Sequence, residues 1–105
     1  MAQKTTAKKT ALPISADTEP EKSFWLCDGR TLKNLKELAK AFEKMDKTVW
    51  NYHVTAEKND FANWAEGVFG QKQLGAFLRK AKSPRTAAKR IQEKLEIPKF
   101  WWFLL

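Results

Sequence analysis

Covalent hydrolytic chemistry needs a nucleophile, a base and a group to orient the base. This chain offers one histidine, His53, and one cysteine, Cys27. Its three serines are Ser15 in the N-terminal stretch, Ser23 at the edge of an apolar run and Ser83 before a proline. None of them sits in a nucleophile elbow. Cys27 lies between Leu26 and Asp28, with no local sign of thiolate activation. His53 stands seven residues before Asp60, and Asn59 adjoins it. As a functional unit, His53, Asn59 and Asp60 would be a pH-sensitive or ligand-contacting cluster. As a structural unit, they would pin the loop 55–59 to the start of a helix. No catalytic residue follows from these patterns, and the expectation is a protein that is not an enzyme.

Cofactor and metal chemistry find no support either. The glycines at 67, 70 and 75 lack P-loop or dinucleotide spacing. One histidine, one cysteine and scattered carboxylates show no metal-ligand spacing. No cofactor and no metal are expected.

Charge is the more informative property. The 105 residues carry 20 Lys and Arg against 12 Asp and Glu, a formal net charge of +8. Residues 1–22 hold a net +1, residues 23–70 are balanced, and residues 71–105 hold +7, with Glu93 and Glu96 their only acids. A basic segment of this kind attracts nucleic-acid phosphate, anionic lipid or an acidic protein surface. Lys80, Lys82, Arg85, Lys89, Arg90 and Lys94 are the candidate nucleic-acid contacts, made to the backbone and without base readout. A helix-turn-helix over residues 60–82 is not supported, because its second helix exposes mainly Gln71, Lys72, Gln73, Arg79 and Lys80. The same third of the chain ends in FWWFLL. Trp101, Trp102 and Phe103 are candidate interaction residues, for folding back onto the core, for a membrane interface, or for a partner or second copy.

Positioning these groups falls to a small set of elements. One compact domain fits the length and the 43% hydrophobic content. Residues 1–22, rich in Thr, Ala, Lys and Pro, read as a disordered basic tail. Residues 23–27 read as a short strand ended by Asp28-Gly29. Thr31 is the expected N-cap of a helix over 31–46, with Leu32, Leu35, Leu38, Ala39, Phe42 and Met45 on its inner face and Lys33 pairing with Glu37. Alternation of Trp50, Tyr52 and Val54 with Asn51 and His53 predicts a strand over 48–54, pairing with 23–27. A helix over 60–69 begins at Asn59 or Asp60 and ends at Gly70. A further helix over 71–82 turns Leu74, Phe77, Leu78 and Ala81 inward, and Gly67 and Gly75 imply close helix approach. Ser83-Pro84 opens a last helix, stopped by Pro98, with Ala87, Ala88, Ile91 and Leu95 inward.

Together FWLCDGRTLKNLKELAKAF, WNYHV, NDFANWAEGVFG and LGAFLRKAKS resemble a small archaeal and bacterial domain of unknown function. Its members share "DG..L.NL.EL", "YHV" and "NDF..W" segments, over roughly residues 23–90 here. The resemblance implies no activity, cofactor or ligand. It draws interest to His53, Asn59 and Asp60 as one unit.

The fold class expected is mainly α, within α+β: four short helices and a small two-stranded β element. Residues 23–99 form the compact domain and 100–105 an aromatic end. The function expected is a small non-enzymatic basic protein that contacts nucleic acid without sequence preference. The alternative is a protein-interaction adaptor, dimeric or peripheral to a membrane, acting through the aromatic end. A lone cysteine, the lack of a signal-peptide apolar core and no run of about 18 apolar residues give a cytoplasmic expectation.

Overall fold

The computed structural model describes residues 14–95, so Pro98, Trp101, Trp102, Phe103 and the first thirteen residues lie outside it. The described chain is mainly helical with one two-stranded antiparallel sheet, the fold class expected. The elements are β1 (Phe24–Trp25), β2 (Thr31–Leu32), α1 (Leu35–Glu43), α2 (Lys47–His53), α3 (Asp60–Phe69), α4 (Lys72–Lys80) and α5 (Pro84–Leu95).

Three expectations are corrected. First, β1 pairs with β2, Phe24 opposite Leu32 and Trp25 opposite Thr31, and not with 48–54. The turn between them is closed by Leu26 N–H to Arg30 O (2.8 Å) and Gly29 N–H to Leu26 O (2.9 Å). Gly29 adopts φ +99°, a region open chiefly to glycine. Thr31 is therefore a strand residue, and Asn34 is the N-cap of α1, its Oδ1 accepting from Glu37 N–H at 2.6 Å. Glu37 returns the favour by accepting from the backbone N–H of Lys33 at 2.9 Å, so its carboxylate meets the Lys33 backbone.

Second, residues 47–53 are a helix. Asp46 caps it by accepting from Val49 N–H at 3.1 Å. Val49, Trp50 and His53 are its buried residues, a spacing that suits a helix. The alternation that predicts a strand is undone by Tyr52, which is 60% exposed. Local β propensity yields here to the cap and to the burial of one helical face.

Third, residues 14–22 pack onto the fold. Thr18 is buried and its N–H donates to Lys33 O at 2.7 Å. Asn34 Nδ2 donates to Asp17 Oδ1 at 2.7 Å. A 3-10 turn at Pro20–Lys22 follows, and Trp64 Nε1 donates to Lys22 O at 2.8 Å.

The core is an aromatic cluster centred on Phe61 of α3. Its ring lies 4.8 Å from Phe42, 5.0 Å from Phe24, 5.7 Å from Trp50 and 5.2 Å from His53, centroid to centroid. α3 packs on α4, α4 on α5, and α5 returns to α1. Ala87, Ala88 and Ile91, all fully buried, are the face α5 turns inward. Gly70 closes α3 with φ +65°, its N–H reaching Glu66 O at 3.0 Å. No helix among the described residues is long and apolar enough to cross a membrane.

Candidate nucleic-acid interface

α4 ends on Arg79 and Lys80, and three residues, Ala81 to Ser83, carry the chain into α5. Ala81 is buried, which anchors the connection, while Lys80 and Lys82 on either side of it are exposed. Ser83 Oγ accepts from Thr86 N–H at 3.3 Å and caps the first turn of α5, with Pro84 as its first residue. The cap fixes the direction in which α5 leaves the turn. Arg85 and Lys89 then lie one turn apart on the exposed side of α5.

The six cations singled out by sequence divide into two groups. Lys80, Lys82, Arg85 and Lys89 are exposed and form no ion pair among the described residues. Arg90 and Lys94 are half-buried and engaged, Arg90 Nη1 with Glu93 Oε1 at 3.1 Å and Lys94 Nζ with Gln73 Oε1 at 2.9 Å. Neighbouring Arg79 is neutralised: its guanidinium meets Glu66 Oε1 and Asn63 Oδ1, each at 2.9 Å. Within residues 79–94, the unpaired cations thus lie at the α4–α5 turn and on the exposed side of α5.

Two shallow clefts flank this turn. One, of about 420 Å³, is lined by Trp50, Val54, Arg79, Lys80, Ala81 and Lys82. The other, of about 380 Å³, is lined by Phe77, Lys80, Ala81, Thr86, Arg90 and Glu93. Lys80 borders both. Phe77, expected inward, is 39% exposed. On α4 the buried residues are Leu74, Gly75 and Leu78, and Phe77 stands at the border of that stripe. A ring at a stripe border with cations around it is a signal that hydrophobic periodicity alone assigns to the core. Among the described residues, Trp25 (68% exposed) and Tyr52 are the other large apolar side chains left open.

His53, Asn59 and Asp60 are also brought near one another, at the C-terminal end of α2 and the N-terminal end of α3. His53 is 4% exposed. Its Nε2 accepts from Cys27 N–H at 3.1 Å, which leaves the proton on Nδ1 to donate to Asp60 Oδ2 at 3.0 Å. Lys58 Nζ meets the same carboxylate oxygen at 3.0 Å. Partial burial pushes the Asp60 carboxyl up, but the hydrogen bonds from His53 and Lys58 and the Lys58 charge outweigh it and hold the pKa below the ordinary 3.8. Asn59 serves another end. Its Oδ1 accepts from Ala62 N–H at 3.0 Å as the cap of α3, and its Nδ2 donates to Leu78 O at 3.2 Å, tying α3 to α4. Both ring nitrogens of His53, both side-chain polar atoms of Asn59 and Oδ2 of Asp60 are engaged within the fold, the geometry of a brace. Trp101, Trp102 and Phe103 lie outside the described residues.

Compared with known proteins, the chain matches no family model, no curated protein and no solved structure.

Proposed function

We propose that this chain is a non-enzymatic binding protein that holds nucleic acid by its phosphate backbone, at the α4–α5 turn. One observation supports the reading: Lys80, Lys82, Arg85 and Lys89, at the α4–α5 turn and on the helix after it, are exposed with no carboxylate in ion-pair contact among the described residues. By contrast, the lysines on α1 share their helix with Glu37 and Glu43. Between residues 71 and 95 Glu93 is the only acid, and Arg90 neutralises it. Uncompensated cations release phosphate counterions on binding, and that release favours association without reading bases. Arg90 and Lys94, restrained by Glu93 and Gln73, border the patch and contribute less.

The test is the dependence of affinity on salt, read by fluorescence anisotropy of a labelled 20-nucleotide oligomer. Four phosphate contacts predict a loss of about fiftyfold between 50 and 200 mM salt, from a slope of about 0.7 per contact on a single strand. Replacing Lys82, Arg85 and Lys89 together by Gln lowers that slope by about two. Absence of binding at 50 mM salt, or a slope the triple variant leaves unchanged, overturns the reading.

A further inference from the structure

We propose that the nucleic acid held at the α4–α5 turn is single-stranded, with one unpaired base stacked on the ring of Phe77; this deepens the backbone-binding reading and rests on it. Phe77 is a large apolar side chain left open on a helix whose other inward residues are fully covered, Leu74 at 0% and Leu78 at 1% exposure. Its exposure is therefore not loose packing of α4. The ring lines a cleft of about 380 Å³, within the size range of small-ligand sites, about 300–1,000 Å³. Lys80, one turn after Phe77, lines the same cleft and supplies a free cation for a phosphate beside a base seated there, and Arg90 lines it as well. Glu93 holds the Arg90 guanidinium at 3.1 Å and so restrains one of the two cations. Ala81 and Thr86 complete the lining with small side chains that leave the ring accessible.

An aromatic face beside cations is the combination by which proteins hold unpaired strands, since every base offers a π-face. A duplex keeps its bases in the stack and presents only groove edges and phosphates. Charge alone favours the duplex, which carries more phosphates per unit length. A preference for single strands therefore reports on stacking and not on charge.

Fluorescein-labelled oligo(dT) of 20 nucleotides and a 20-base-pair mixed duplex are titrated at 50 mM salt. Oligo(rU) of the same length runs in parallel to identify the sugar. The full chain, Phe77→Leu and Phe77→Trp are compared, each checked for native helicity by circular dichroism. The full chain is expected to bind a single strand more tightly than the duplex. Phe77→Leu is expected to lose about tenfold on the single strand, with its salt slope and duplex affinity unchanged, and Phe77→Trp to retain single-strand binding. Equal or tighter duplex binding overturns the proposal and leaves the charge reading standing. A single-strand preference that survives Phe77→Leu overturns the role of Phe77. Binding of neither probe at 50 mM salt fails the charge reading itself, and this proposal with it.

Discussion

His53 makes the sharpest case at the scale of single residues. It is a buried imidazole used at both nitrogens, accepting from the Cys27 backbone and donating to Asp60. Replacing it by Phe keeps ring packing against Phe24 and Phe61 but leaves the Cys27 N–H without an acceptor. The expected cost is about 1–3 kcal/mol in urea unfolding. Asp60 adds a pH signature. Its carboxyl is depressed in the folded state, so its contribution is fully present above pH 3.8. That contribution is lost as pH falls below 3.8 through the folded value. Asp60→Asn should therefore flatten the acid limb of stability against pH while lowering stability at pH 7; an unchanged acid limb would refute the assignment. The spacing of His53 and Asp60 is legible in sequence because seven residues leave room for little but one loop. The Cys27 contact is not, because it joins His53 to a turn 26 residues upstream.

At the scale of elements, two glycines separate propensity from packing. Gly67 lies in α3 with nothing within 4 Å of where a Cβ would stand. Gly67→Ala should raise stability by about 0.5–1 kcal/mol, measured by urea midpoint. Gly75 lies in α4, and a Cβ there would collide with the Glu66 side chain that holds Arg79. Gly75→Ala must displace the Glu66 side chain and loosen its pair with Arg79, so its midpoint should rise less than that of Gly67→Ala. Sequence reading treats the two alike as marks of close helix approach, and only Gly75 is one. The helix at 47–53 marks a similar limit. Val, Trp and Tyr favour a strand, whereas Asp46 as a cap and one buried face favour the helix, and burial against Phe42 and Phe61 decides. Helices α1, α3, α4 and α5 are legible because each combines a 3.6-residue apolar stripe with a cap or a stop.

For the molecule as a whole, the domain begins earlier than composition implies. Residues 14–22 carry the polar composition of a tail, yet Asp17, Thr18 and Lys22 each hydrogen-bond the body. Removing residues 1–22 should cost about 2–3 kcal/mol more than removing 1–13, from three lost hydrogen bonds, read as the difference in urea unfolding free energy. Equal stability of the two truncations would show that the segment contributes nothing. The concentration of charge near the α4–α5 turn is legible because counting needs no fold. Which cations stay free is not, since Glu66 reaches Arg79 across two helices. The packing of α5 against α1 has a kinetic side. α3 with α4 and α4 with α5 are neighbours in sequence and close short loops, whereas α5 must find a helix some fifty residues upstream. During synthesis the face of α1 that packs on α5 stays uncovered by it until residues 84–95 leave the ribosome. The basic face is thus set in place by the same late step that seals the core.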